Sequence, residues 1–414
     1  MHLDLLDILR CPFCGGRLNL VTSLFHRTSD DTISDGVIGC ECCVFPVVDG
    51  IPVMHLQGSA VAAREAIEAE APDRALLAMV GAENDKAAEA FTEAAASATS
   101  TYRDIVNSLG DGFEGGYFLY RFSDPTYVVA DAVVRAVAGT VLAGGGRALD
   151  VCGGSGHLTR ALVPLSTPAP VMADLFYTKL WLARRYTAPG AVPVCCDANI
   201  PLPFARGAFD YAMCSDALMF VWMKRLVVGE MLRAVDGSPR ATVLVNHAHN
   251  QLVWSPSHGN TLTVSGYRQL FQPAVPRAFG ESALLEEIVQ SGRIDLARVD
   301  SEAQLSQDAA FTLIGTKVEE VFRSHAVPPP QQYSGEWSIN PLYQVDRDAG
   351  QLRLTFRFPS DDYEYEFGAC RRYLPQSATV DAAALAALQA GTPQPALDDL
   401  IRRRVIVSLP QRYV

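Results

Sequence analysis

The chain has 414 residues, of which 49% are apolar and 19% charged, with a formal net charge of −12. That length suits roughly two to four domains with large cores, and the composition excludes wholesale disorder. The negative balance repels phosphate backbones, so nucleic acid is disfavoured as a partner. The start, Met1-His2-Leu3-Asp4-Leu5, lacks the basic and apolar segments of a secretory signal, and no stretch reaches the ~18 apolar residues of a membrane span. A cytoplasmic protein with no membrane partner is expected.

Residues 1–56 form a cysteine-rich unit. Five of the ten cysteines, Cys11, Cys14, Cys40, Cys42 and Cys43, lie here. Cys11-Pro-Phe-Cys14 and Cys40-Glu-Cys-Cys43 are separated by 25 residues, a spacing at which two turns each supply two thiolates to tetrahedral Zn²⁺. The expected ligands are Cys11, Cys14, Cys40 and Cys43, with Cys42 an alternative to Cys43. No nearby His suggests an open position, so the zinc is read as structural. Reduced structural thiols are the competing reading, and disulfides are a poor one in such a context.

Residues 57–143 read as a helical linker and lid segment. The stretch 60–97 is rich in Ala and Glu and reads as helix, part of it exposed. Tyr117-Phe118-Leu119-Tyr120-Arg121-Phe122 precedes another helix at 124–143, with Pro125 at a tolerated early position. From residue 144 to 317, short apolar strands at 147–151, 170–174, 192–196, 209–214 and 241–247 alternate with helices near 156–165, 176–187, 199–207 and 222–235. Strands at 294–299 and 310–315 complete the set. Such alternation predicts an α/β domain with a largely parallel, Rossmann-like sheet covered on both faces. Residues 318–414 read as an α+β module: a hairpin at 342–345 and 352–358, helices at 382–390 and 397–404, and a strand at 405–409.

The first strand of the core runs into Asp150-Val151-Cys152-Gly153-Gly154-Ser155-Gly156. An acidic residue before a glycine turn suits a cofactor that carries positive charge and a ribose. A dinucleotide fingerprint is excluded: counted from Gly154, its third glycine is Thr159. Asp174 closes the second strand, 18 residues after Gly156, where a carboxylate can accept from ribose hydroxyls. Asp197 closes the third, and Pro201-Leu202-Pro203-Phe204 with Phe209-Asp210 precedes the fourth.

These ordered motifs resemble class I methyltransferases dependent on S-adenosylmethionine (SAM) over about 147–317. The resemblance implies the seven-stranded sheet of that family and a SAM site at Asp150, Gly153, Gly154, Gly156, Asp174, Leu175, Asp197, Ala198 and Ser215. Cys152 stands where the family's first glycine is usual. After the fourth strand, Cys214-Ser215-Asp216-Ala217 lacks the Pro-Pro-Tyr signature of amide- and amine-methylating members. The first unit, through Leu5–Leu18 and Phe45-Pro46-Val47-Val48-Asp49-Gly50-Ile51-Pro52-Val53-Met54, resembles the zinc-ribbon activators of tRNA, rRNA and release-factor methyltransferases.

Methyl transfer from a sulfonium needs an aligned nucleophile and, for hydroxyl or acidic C–H acceptors, a base. His247 and His249, at the end of the fifth core strand, are the candidate general bases. Tyr117, Tyr120 and Arg121 are candidates for a lid, and Trp254 and His258 for the substrate pocket; ordinary packing is the alternative for each. The expected activity is methylation of an oxygen or carbon on a small molecule, with a specialised metabolite as one candidate. Competing readings are an RNA or protein methyltransferase and a non-catalytic scaffold. A homo-oligomer stays open.

Overall fold

A computed structural model describes residues 1–82, 84–110, 118–255, 259–327 and 335–414. The cysteine-rich unit is an antiparallel sheet of β1 (Asn19–Leu20), β2 (Arg27–Ser29), β3 (Thr32–Gly39), β4 (Val44–Val48) and β5 (Ile51–Pro52). The strand order is β1-β3-β4-β5, with β2 also paired to β3. Asp49 and Gly50 both hold positive φ, the geometry that lets a two-residue turn follow strand twist.

Three helices, α1 (Gly58–Glu68), α2 (Pro72–Val80) and α3 (Asp85–Ala96), occupy the Ala/Glu-rich stretch. They lead to α4 (Tyr102–Ser108) and α5 (Pro125–Val141), capped by the Asp124 carboxylate, which accepts from the Tyr127 N–H at 2.6 Å.

The core sheet comprises β6 (Ala148–Val151), β7 (Val171–Asp174), β8 (Val192–Cys195), β9 (Tyr211–Ser215), β10 (Thr242–His249), β11 (Arg277–Gly280) and β13 (Ala310–Thr316). Between β11 and β13 lies β12 (Arg293–Asp295), outside this sheet. The spatial order is β11-β13-β10-β9-β6-β7-β8, and only β13 runs antiparallel to its neighbours. Strands β6 and β7 are wholly buried, which explains their uninterrupted apolar character.

Two sequence expectations fail here. The sixth strand is Arg277–Gly280, not 294–299; Arg293–Asp295 pairs instead with β14 (Ser324–Ala326) in a separate two-stranded ribbon. The apolar run around Ile294 imitates a core strand because that residue is buried all the same. No helix occupies 199–207. There, Asn199 bonds Asp197 and also accepts from the Trp222 N–H at 2.8 Å, holding the segment as a loop.

Apolar residues cover both faces of the sheet. One face packs on α5, on α6 (Thr159–Leu162) and α7 (Tyr177–Leu182), and on the C-terminal residues. The other packs on the cysteine-rich unit and α8 (Lys224–Ala234). That unit also covers the open edge: Val53 pairs in parallel with Cys195, and the Met54 N–H donates to the Cys195 carbonyl at 2.6 Å.

The C-terminal residues form two small sheets. One pairs β15 (Glu336–Ile339) with β19 (Ile406–Leu409); the other joins β16 (Tyr343–Asp348), β17 (Gln351–Phe356) and β18 (Ser377–Asp381). They share a core with the pre-sheet helices: Tyr413 stacks on Tyr102 at 4.7 Å, and its hydroxyl lies 2.7 Å from His157 Nε2. Among the described residues, no helix is long and apolar enough to cross a membrane.

Candidate active site and four-cysteine centre

At the carboxyl ends of β6, β7 and β9 lies a cavity of about 630 Å³. Asp150, Gly153, Gly154, Asp174, Leu175, Asp197, Ala198 and Ser215 all line it. This is where an open α/β sheet places its ligand. The glycine turn is tied to the next strand: the Gly154 N–H donates to Asp174 Oδ2 at 2.9 Å, and the Phe176 N–H to Asp174 Oδ1 at 2.8 Å. A Cβ on Gly153 would meet Met172 Cγ at 2.6 Å, so a larger residue there would have to displace that side chain. Gly156 is placed differently from the other eight predicted cofactor residues: it is not in the cavity wall. A Cβ there would meet Ala183 at 2.8 Å, so Gly156 packs the loop on the end of α7.

Cys152 adopts φ +59°, a left-handed conformation that costs a residue with a Cβ roughly 1 kcal/mol. Cys152→Gly should therefore raise stability by about 1 kcal/mol, read as an increased Tm. An unchanged or lowered Tm would show that packing of the thiol outweighs the strain.

The cavity is electrically negative. Asp150, Asp174, Asp197, Asp216 and Glu366 face Arg121 and Lys179. Burial pushes the Asp150 carboxyl up to about 7, against the hydrogen bond it accepts from Thr159 at 2.6 Å. Burial also raises Asp174, while backbone N–H donors pull it back. Of the lid candidates, Arg121 lines the cavity and is buried, its guanidinium paired with Asp216 at 2.9 Å and Asp124 at 3.1 Å. Tyr120 packs on Tyr363 instead. Tyr117 and His258 lie outside the described residues. Trp254 is exposed and meets Tyr365 edge-on at 5.5 Å, next to Glu366 of the cavity wall.

His247 and His249 are not wall residues, but they stand directly behind one. Their ring centroids are 4.6 Å apart, and each offers a nitrogen within 4.8 Å of the other and of an Asp216 oxygen. Glu281 locks His247 in place: its two oxygens accept from the His247 backbone N–H at 2.7 Å and contact Nδ1 at 2.6 Å. Burial alone would lower His247, but the Glu281 and Asp216 carboxylates outweigh it and raise the ring to about 9. Burial and the neighbouring His247 press His249 down to about 4. The sequence reading missed Asp216 and Glu281. An acid just past the fourth strand signals the former; the latter opens the helix after β11, the strand that was misplaced.

In the cysteine-rich unit the sulfurs of Cys11, Cys14, Cys40 and Cys42 come together. Cys42, not Cys43, is the fourth member. The Cys40 N–H donates to the Cys43 carbonyl at 2.9 Å, closing a turn in which the exposed Cys42 joins the other three sulfurs and Cys43 packs against the apolar cluster. Sulfur separations are 3.8 Å for Cys11–Cys42, 3.6 Å for Cys14–Cys40 and 3.4 Å for Cys40–Cys42. Four sulfurs at about 2.3 Å from one tetrahedral ion would stand about 3.8 Å apart, so the cluster fits zinc.

No family model and no curated protein matches the sequence. Several solved structures do match. The YcgJ protein from Bacillus subtilis shares 17% identity over 44% of this chain and 95% of its own, with a TM-score of 0.28. A chain of the complex between the Haloferax volcanii Trm112 methyltransferase activator and a methyltransferase shares 15% over 49% and 96%, at 0.35. Geranyl diphosphate C-methyltransferase from Streptomyces coelicolor, with bound S-adenosyl-L-homocysteine, shares 13% over 42% and 70%, at 0.30. A seven-stranded mixed sheet with one reversed strand, and a glycine turn tied to a carboxylate on the next strand, give this chain the class I SAM-methyltransferase fold, joined to an N-terminal four-cysteine centre.

Proposed function

We propose that the chain is a SAM-dependent methyltransferase acting on an oxygen or carbon of a small molecule, with a structural zinc ion on Cys11, Cys14, Cys40 and Cys42. The observation that carries this reading is the convergence of Asp150, Asp174, Asp197 and the Gly153–Gly154 turn on one acidic cavity. A sulfonium cofactor is cationic, and its ribose and adenine need acceptors; carboxylates at three strand ends supply both. The same acidity works against an RNA acceptor. Phe176, Phe220 and Phe118 line the cavity as apolar walls. They favour an acceptor with an apolar body.

Calorimetric titration of the full chain with SAM tests the reading: one molecule should bind per chain, and absence of binding at high micromolar SAM would overturn it. The pH dependence is specific. Below about 7 the free protein holds Asp150 protonated, so binding a cation beside it must expel a proton. Affinity should fall by up to about tenfold per pH unit below that point. Folding follows the opposite sign. The raised carboxyl favours the protonated folded state, so ligand-free stability declines as pH climbs from the unfolded carboxylate value towards about 7. Asp150→Asn should flatten both profiles.

A further inference from the structure

We infer that Asp216, His247 and His249 form a site for one first-row divalent transition ion at the acceptor side of the cavity. The three donors are two imidazoles and one carboxylate, the set that suits such ions and leaves coordination positions open. An ion holding three donors at about 2.1 Å each needs them within about 3–4 Å of one another. None of the present separations exceeds 4.8 Å, a gap that side-chain rotation closes.

The surroundings match the donors. His247 Nδ1 is taken by Glu281, whose other oxygen also accepts from Thr312 Oγ1 at 2.9 Å. His249 Nδ1 is taken by Ser255 Oγ at 2.7 Å. Both rings thus keep Nε2 for a ligand, with the outer nitrogen oriented as in metal centres. His249 is 5% exposed, and among the described residues its Nε2 has no hydrogen-bond partner. The buried Ser215 Oγ and Asn246 Nδ2, on paired positions of β9 and β10, also find none among the described residues. Buried polar atoms rarely go unpaired, and three at one set of strand ends point to a missing ligand.

The backbone is strained to the same end. Asp216 and His247 hold φ +52° and +53°. A bulge in β10 sets Asn246 and His247 opposite Thr312 alone, which turns His247 towards Asp216.

Asp216 and Ser215 are wall residues, so an ion on these donors would border the cavity. On the methyl-transfer reading, from which this step follows, its open positions take an acceptor through a hydroxyl or enol oxygen. Coordination releases the O–H proton to water. The oxygen then attacks the methyl carbon, the new O–C bond forms as the S–C bond breaks, and the electron pair returns to sulfur to give neutral S-adenosylhomocysteine.

The test uses the full chain with its zinc retained, titrated with Mn²⁺ in the absence of SAM. Electron paramagnetic resonance counts the bound ion, and water-proton relaxation reports its open positions. One Mn²⁺ per chain with inner-sphere water is expected, lost in His249→Gln and in Asp216→Asn while zinc content is unchanged. A wild-type chain that binds neither Mn²⁺ nor Co²⁺ beyond its zinc overturns the site, and so does binding that both variants keep. Bound Mn²⁺ without SAM binding would fail the methyl-transfer reading alone; SAM binding without Mn²⁺ would fail the metal site alone.

Discussion

On the zinc reading proposed above, stripping the ion from the full chain with a strong chelator will unfold the cysteine-rich unit and lower the stability of the whole protein. The unit's core is shared rather than its own: β1 and β5 are two residues each, β2 is exposed, and the buried residues of β3 and β4 pack into clusters that reach the core domain. Domains of this size depend on a metal for much of their folding free energy, about 10–16 kcal/mol in isolated zinc modules. Here the loss would spread. Leu9, Phe45 and Met54 share an apolar cluster with Val194, Leu202 and Phe204 of the core domain. Unfolding would strip that face and bare the edge of β8, whose outer carbonyl at Cys195 now accepts from Met54. An open edge beside exposed apolar surface promotes aggregation. Chelation should therefore lower Tm sharply and give aggregation on heating. The single-residue form separates two thiols adjacent in sequence. Cys42→Ser should weaken zinc binding by at least roughly 100-fold, more than loss of an outer-shell partner, whereas Cys43→Ser should leave zinc content intact. Equal zinc in both variants, or loss in Cys43→Ser alone, would reject the ligand set.

The ambiguity between those two cysteines shows what could be read from sequence. Spacing locates a metal turn, but which thiol joins the other three sulfurs depends on the Cys40–Cys43 backbone hydrogen bond. The core strands were legible because buried parallel strands are short apolar runs set off by turns. The sixth was not, because Ile294 and Leu296 are buried in a different layer and imitate one. The cofactor motif was legible because its residues are close in sequence, within or just after β6, β7 and β8. The histidine centre was legible only in part. His247 and His249 stand in the sequence two residues apart, but their environment comes from Asp216 and Glu281 on other elements, and from a bulge with no sequence signature. The same holds for Arg121: its pairing with Asp216 depends on how α5 and the residues before it fold over the strand ends.

Asp174→Ala will remove SAM and S-adenosylhomocysteine binding almost entirely. Each Asp174 oxygen does two things. Internally, the carboxylate accepts the Gly154 and Phe176 N–H groups, fixing the glycine turn of β6 against the end of β7. Towards the cavity, it keeps lone pairs for ribose hydroxyls, the role the family resemblance implies, since an ionised carboxylate has about four acceptor sites. A hydrogen bond to a charged group contributes roughly 1.5–3 kcal/mol. Losing two to the ribose, with the turn also released, should weaken binding by roughly 100- to 10,000-fold. Two controls separate loss of the ligand contacts from loss of the fold. Zinc content, set at the remote cysteine centre, should be unchanged. Asp174→Asn keeps a carbonyl acceptor for one of the two N–H groups but sets its NH2 against the other, so it should recover only part of the Tm lost in Asp174→Ala while still binding SAM more weakly than the parent. If Asp174→Ala bound SAM within a few-fold of the parent, the cofactor would lie elsewhere in the cavity. The carboxylate at the end of β7 would then serve the loop alone.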